Sequence, residues 1–192
     1  MLDLNSFPDA VYYEPEALKY PLGKILRKKY GDKPWNAIEN HNSIPEFQKS
    51  QNREFPKLKR LLILGVRKTH KYVPNHKVSN YLVPFTSSGC SAMCLYCYLV
   101  CNYNKCSYLR VFVNREQMMD RLIGESIKAV SPQTFEIGSN SDLVLENQIT
   151  GNLPWVIERF GEEGRGRITF PTKFSMVEPL LGLKHNGKVL FR

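Results

Sequence analysis

The sequence predicts an α/β fold built on a parallel sheet, and three observations lead there. From Tyr81 onward, short apolar runs alternate with segments of helical spacing, a β-α-β-α-β-α-β series whose strands pair in parallel through right-handed crossovers. The residues that carry chemistry, Cys90, Ser139 to Asp142 and Lys173, each follow a strand, and parallel sheets collect function at the carboxyl ends of their strands. Residues 1–80 lack that alternation and read as a small α+β amino-terminal domain, so the chain divides into 1–80 and 81–192.

In the first domain, Ala10 to Tyr13 is a short strand ended by Glu14-Pro15. Pro21 opens a helix in which Leu22, Ile25 and Leu26 share one face, Lys24, Arg27, Lys28 and Lys29 lie largely outside it, and Gly31 closes it. Such a basic face can touch phosphates, although a solvated helix surface is the commoner use. Leu61 to Leu64 is a buried strand, flanked by Lys57, Lys59 and Arg60 before it and by Arg67, Lys68 and Lys71 after it. With Tyr72 and Tyr81 nearby, this densest basic cluster suits a nucleic-acid backbone with stacked bases. His70 and His76 have no local partner motif and read as ordinary surface histidines.

In the second domain, the strand Tyr81 to Thr86 leads into a cysteine-rich loop, and Val111 to Val113 is the next strand. Asn114-x-x-Gln117 resembles a capping box, after which Met119, Leu122, Ile123, Ile127 and Val130 recur at helical spacing until Ser131-Pro132. Met119 is therefore core packing and not a ligand. Thr134 to Ile137 is a strand that ends in Gly138-Ser139-Asn140-Ser141-Asp142. A helix from about Leu153 to Phe160, capped by Asn152, leads to the strand Arg167 to Thr172. A further helix near Ser175 to Leu183 and the turn Asn186-Gly187 lead to the strand Lys188 to Phe191. The chain stops on that strand.

Composition narrows the class. Of 192 residues, 42% are hydrophobic, with ten Tyr and ten Phe, enough to build a core and too many for a disordered tail. The first twenty residues are broken by Pro8 and Pro15 and carry Asp3, Asp9, Glu14 and Glu16, unlike a targeting segment. The apolar run Leu61 to Val66 is too short to span a bilayer, so the expectation is a soluble, cytoplasmic protein with no membrane partner. Five cysteines in such a compartment are thiols or metal ligands rather than a disulfide framework. A net charge of +9 favours a polyanionic partner, nucleic acid being the commonest.

The sharpest motif is Gly89-Cys90-Ser91-Ala92-Met93-Cys94-Leu95-Tyr96-Cys97-Tyr98, a C-x-x-x-C-x-x-C loop. Three thiolates at that spacing can hold a four-iron cluster and leave one iron without a protein ligand. A structural zinc site is the alternative, with Cys94, Cys97, Cys101 and Cys106 as four tetrahedral ligands. Spacing alone leaves both open. The zinc set would leave Cys90 over, and the strand that precedes the loop is unlike paired knuckles.

Residues 84 to 98 resemble the cluster loop of radical S-adenosylmethionine enzymes, specifically of the spore photoproduct lyase family. The resemblance extends to Leu64-Gly65-Val66-Arg67-Lys68-Thr69, Arg110-Val111-Phe112-Val113-Asn114, Ser141-Asp142, Thr172-Lys173-Phe174 and Lys184-His185-Asn186-Gly187, and so covers nearly the whole chain. It implies a partial TIM-type (βα) barrel of about six units, of which about half falls within 81–192, truncated after about four parallel strands. A barrel that stops on the strand Lys188 to Phe191 has an unpaired edge and an uncovered face, so the expectation is an amino-terminal portion of a longer protein. It also implies a 4Fe-4S cluster on Cys90, Cys94 and Cys97, and S-adenosylmethionine as the ligand of the open iron. Tyr96 would pack at the adenine end, and Ser141 and Lys173 would contact the methionyl carboxylate. Bland roles remain for both, a cap for Ser141 and a surface charge for Lys173.

The reaction implied is reductive cleavage of S-adenosylmethionine to a 5′-deoxyadenosyl radical. That radical would revert the spore photoproduct, a methylene-bridged thymine dimer, to two thymines in UV-damaged DNA. The electron would come from a one-electron reductant such as flavodoxin or ferredoxin. Tyr96 and Tyr98 match residues near the hydrogen-transfer path. The family's hydrogen-returning cysteine is replaced here by Ser139, whose O–H bond is too strong for that transfer, which leaves Cys101 and Cys106 as candidate donors or as inert buried thiols. The implied setting is the cytoplasm of the spore or germinating cell. Residues 1–192 alone are expected not to turn over. A radical enzyme with another substrate and a non-catalytic, metal-stabilised nucleic-acid-binding module are the other readings.

Overall fold

The computed structural model describes residues 6–50, 52–83, 85–94, 97, 99 and 108–192. The chain separates into two compact units, Met1–Lys68 with Thr86–Asn114, and Thr69–Phe85 with Arg115–Arg192. The division differs from the expected boundary near residue 80 because a strand from the first seventy residues pairs with one that follows the cysteine segment.

In the first unit, β1 (Ala10–Tyr13), β2 (Trp35–Ala37), β3 (Leu61–Gly65), β6 (Ser87–Ser88) and β7 (Leu109–Phe112) form a sheet in the order β2-β1-β3-β7-β6. Its first four strands are parallel, and Val11, Leu62 and Leu109 stand in register, fully or almost fully buried. That row reads as continuous apolar runs in the sequence because both faces of the sheet are covered. Ile63, in the middle of β3, joins Ile44, Phe47, Leu58 and Tyr108 in a buried cluster. Ile44 and Phe47 come from the cap and body of α2 (Pro45–Gln48), and Leu58 ends α3 (Phe55–Leu58).

Helix α1 (Pro21–Lys29) buries Leu22, Gly23 and Leu26. Ile25, expected on that face, is exposed, and Gly23 takes its place because the Ala17 carbonyl of the preceding 3-10 turn packs where a Cβ would stand. The basic face is partly engaged, since the Arg27 guanidinium lies 4.5 Å from the centroid of the Trp35 ring.

The carboxyl ends of β1, β3 and β7 are closed by two polar ties that the sequence reading missed. Glu14 accepts from the backbone N–H groups of His41 (3.0 Å) and Val66 (2.9 Å) and pairs with His41 Nδ1 at 2.8 Å. Asn114 accepts from Arg67 N and donates to Arg67 O, each at 2.9 Å. Burial acts to raise the Glu14 pKa, but the backbone donors and His41 outweigh it and hold the carboxyl below its usual range. Burial pulls His41 below the usual histidine range although Glu14 opposes it. The stability from Glu14 is present above the ordinary carboxylate range and lost as pH falls through its lowered pKa; His41 likewise favours folding only while neutral. Thermal unfolding followed from about pH 7 to about pH 4 should show a falling midpoint, and Glu14→Gln should flatten the acid part. A midpoint independent of pH over that range would refute this.

In the second unit, β4 (Val73–Pro74), β5 (Tyr81–Leu82), β8 (Thr134–Glu136), β9 (Arg167–Phe170) and β10 (Val189–Phe191) form a sheet in the order β10-β9-β8-β5-β4. Strands β5, β8, β9 and β10 are parallel, as the alternation of strands and helices predicts. The run Tyr81 to Thr86 is split: β5 ends at Leu82, and β6, in the other sheet, starts at Ser87. Both sheets are open, and no closed barrel occurs among the described residues.

Helix α4 (Arg115–Lys128) buries Met118, Met119, Leu122, Ile123 and Ser126. Ile127 and Val130 are exposed, because Ser126 takes the next place in the stripe, its hydroxyl donating to Ile123 O at 2.7 Å, and Val130 lies past the helix end. The sequence reading passed over α5 (Leu143–Thr150), which Asp142 caps, and placed α6 (Asn152–Glu163) too short and capped by Asn152. Gly151, at φ 65°, is instead the joint between these helices. The helix expected near Ser175 to Leu183 is only α7 (Glu178–Leu181).

Candidate metal and cofactor site

Cys90 directly follows Gly89, at the carboxyl end of the edge strand β6. Ser87 pairs with Val111 and Ser88 with Arg110, so β6 runs antiparallel to β7 and its carboxyl end lies beside the amino ends of the parallel strands. Gly89, at φ 79°, makes the turn into Cys90. Cys90 is buried, Cys97 half-buried and Cys94 exposed, and none of the three is in a disulfide. The Ala92 N–H donates to Cys90 Sγ at 3.4 Å. Among the described residues, no three Cys, His, Asp or Glu side chains are gathered closely enough to hold a metal ion.

Lys59 lies beneath this loop. It follows α3 directly, its side chain is fully buried, and its Nζ donates to the Cys90 carbonyl oxygen at 2.5 Å while standing 5.2 Å from the centroid of the Phe55 ring. Burial lowers its pKa, and the three thiols of Cys90, Cys97 and Cys94 act in the opposite direction, so all three lie close enough to be felt by the ammonium. Among the described residues no carboxylate pairs with Lys59, and residues 95–107 contain neither Asp nor Glu. The Ser91 hydroxyl, also buried, has no hydrogen-bond partner among the described residues. A buried cation without a counter-ion and a buried donor without an acceptor are both costly. Both fit an anionic group held by the loop, and three thiolates on a cluster are such a group.

This position corrects the basic cluster read around β3. Lys59 is buried, Arg60 forms a two-pronged pair with Asp9 (2.8 and 2.6 Å), and Arg67 stacks 3.8 Å from the centroid of the Phe112 ring. Of that cluster, Lys57, Lys68 and Lys71 remain exposed. Tyr72 and Tyr81 are engaged as well, each packed on Phe135.

In the second unit, Ser141 and Lys173 lie in the loops that follow β8 and β9, Ser141 buried and Lys173 exposed. Asp142 ties the two loops together. Its carboxylate caps α5 through Leu145 N (3.1 Å), accepts from the Thr172 hydroxyl (2.9 Å) and accepts from the Lys173 backbone N–H (2.9 Å). The Thr172 hydroxyl in turn accepts from Phe174 N at 3.1 Å. Asp142, to which the sequence reading gave no role, thus fixes where Lys173 leaves the strand; the available signal was an Asp before the apolar run Leu143-Val144-Leu145. Ser141 is not the helix cap. Tyr96, Tyr98, Cys101 and Cys106 lie outside the described residues.

Residues 6–192 match the family described as spore photoproduct lyase. The chain belongs to the spore photoproduct lyase family. It is 36% identical over 190 residues to the spore photoproduct lyase of Bacillus subtilis, and 34% identical over 193 residues to that of a Geobacillus species. Each alignment covers 96% of this chain and 55% of the relative. A solved double mutant of spore photoproduct lyase, with bound S-adenosylmethionine and dinucleoside spore photoproduct, superposes with a TM-score of 0.87 at 33% identity, again over 96% of this chain and 55% of that one. The chain therefore spans about half the length of the family members it matches, and its α/β fold with parallel sheets is the fold of that half. No described helix is long and apolar enough to cross a membrane.

Proposed function

We propose that this chain carries the cluster-binding and S-adenosylmethionine-binding portion of a DNA repair lyase that reverts the spore photoproduct to two thymines. The observation that carries the reading is the three-cysteine segment above a buried lysine that has no carboxylate partner among the described residues, in a family whose solved member holds both S-adenosylmethionine and the lesion. When bound, the 4Fe-4S cluster supplies one electron for reductive cleavage of S-adenosylmethionine. Cys90, Cys94 and Cys97 are its ligands, with Cys90 oriented by the Ala92 N–H and by the turn at Gly89.

Tyr96 packs at the adenine end, and Ser141 and Lys173 hold the methionyl carboxylate, a hydroxyl and a compact cation being suited to that anion. Asp142 orients the backbone on which Lys173 stands. The partners are UV-damaged DNA, from which the lesion must be extruded, and a one-electron reductant such as flavodoxin or ferredoxin. Anaerobic reconstitution followed by assays of S-adenosylmethionine cleavage and of thymine recovery from lesion-bearing DNA tests the reading. Zinc without iron or sulfide would instead indicate a metal-stabilised module, and cleavage without lesion repair another substrate.

Because Ser139 stands where the family has its hydrogen donor, Cys101 or Cys106, directly or through Tyr98, returns the hydrogen to the product radical. In the active enzyme, Ala at the responsible cysteine should leave S-adenosylmethionine cleavage intact and divert the lesion to abortive products. Clean repair by both single variants and by the double variant would place the donor elsewhere.

A further inference from the structure

We infer that Lys59 is the built-in counter-charge of the cluster, a positioning residue that sets how readily the cluster accepts an electron; this rests on the cluster reading above. An ammonium taken wholly out of water is destabilising by several kcal/mol unless an anion compensates it. Lys59 is fully buried, no carboxylate pairs with it among the described residues, and residues 95–107 supply none. Among the described residues, its ammonium donates to the Cys90 carbonyl, and the Phe55 ring adds a weaker attraction.

Among the described residues, the groups that can supply a compensating negative charge are the thiols of Cys90, Cys94 and Cys97, and Lys59 touches the first of these residues through its carbonyl. A 4Fe-4S cluster with three thiolate ligands is net anionic when oxidised and gains a further negative charge on reduction. A fixed positive charge at the base of the loop favours the more negative state, so it raises the reduction potential. The low dielectric of a buried site makes the effect larger than a surface lysine could give. Its carbonyl contact also holds the backbone of the first ligand, which ties cluster charge to the start of β3. Placed one residue before Arg60 and two before β3, Lys59 is locked by the sheet, so its charge cannot swing away as a surface side chain would.

The inference predicts opposite effects in the two states of the protein. Without a cluster, Lys59 is a burden, and Lys59→Met should leave thermal stability equal or raise it. With the cluster, the same variant should lose about tenfold in the one-electron reduction equilibrium, about 59 mV downward, while Lys59→Arg, which keeps the charge, should stay near the parent.

The experiment is anaerobic reconstitution of the parent chain, Lys59→Met and Lys59→Arg, with iron and sulfide analysis, thermal unfolding of the apo-proteins, and a redox titration followed by electron paramagnetic resonance. A parent chain that takes up no iron-sulfur cluster defeats the cluster reading itself. A parent and Lys59→Met that load equally and share one midpoint potential overturn the role of Lys59 alone. If Lys59→Met fails to load, a folded apo-protein supports the counter-charge and an unfolded one assigns the lysine to the fold.

Discussion

Replacing Cys90, Cys94 or Cys97 by Ala should abolish the cluster, whereas Cys101→Ala should leave it intact. The expected parent content is about four irons and four sulfides per chain, and any one of the three substitutions should reduce it to background. The reason is stoichiometric. With three protein ligands and one iron open, no ligand is spare, and a chain missing one thiolate holds the others too loosely to retain iron. Cys90 should be the most sensitive position, because it is buried, receives the Ala92 N–H and has its carbonyl pinned by Lys59. Iron lost on changing Cys101 or Cys106 and kept on changing Cys90 would overturn the assignment and favour the four-thiolate zinc set. Iron and acid-labile sulfide analysis after anaerobic reconstitution decides between them.

Lys173→Ala should weaken S-adenosylmethionine binding by roughly 1.5 to 3 kcal/mol, the net worth of a hydrogen bond to a charged group. In affinity that is about tenfold to just over a hundredfold, measurable by calorimetry on protein with an intact cluster. The exposed ammonium has nothing to lose in the fold, so the cost should fall on binding and leave thermal unfolding nearly unchanged. Asp142→Ala should behave differently. It removes a helix cap and the acceptor of the Thr172 hydroxyl and Lys173 N–H, so it should lower the melting midpoint and the affinity together. Unchanged affinity in Lys173→Ala with the cluster loaded would refute the carboxylate contact.

Much of the architecture was legible because its signals are local. The strands Ala10 to Tyr13 and Leu61 to Leu64 announce themselves as apolar runs, Thr134 to Ile137 as an alternation of polar and apolar residues, and the helix after Asn114 as a periodic stripe. What escaped depends on partners distant in the chain. Nothing around Leu62 says that it lies beside both Val11 and Leu109, so the two-sheet arrangement and the division into units were hidden. The strand Tyr81 to Thr86 looked continuous because Leu82, Val83 and Phe85 are apolar, although Tyr81 and Leu82 pair with β8 while the Thr86 carbonyl accepts from Phe112 N in the other sheet.

The site divides in the same way. Cysteine spacing is a sequence property and is read directly. The burial of Lys59 is not, since its local surroundings, Lys57 and Arg60, describe a charged surface, and only the packing of Cys90 over it reverses the reading. Glu14 and His41 are a comparable case, joined across a wide gap in the chain by hydrogen bonds that neither local pattern foretells.

The antiparallel pairing of β6 with β7 has a thermodynamic corollary for metal capture. Ser88 opposite Arg110 means that the sheet holds together the two ends of the segment 89–109, which carries the cysteines. Part of the chain entropy that opposes fixing Cys90, Cys94 and Cys97 around a metal is thus lost during folding, before any iron arrives. The thiolates then meet the metal at a high effective concentration, as linked sites do. Incoming iron and sulfide need only arrange a loop that is already tethered, and the folding of the first sheet supplies the tether.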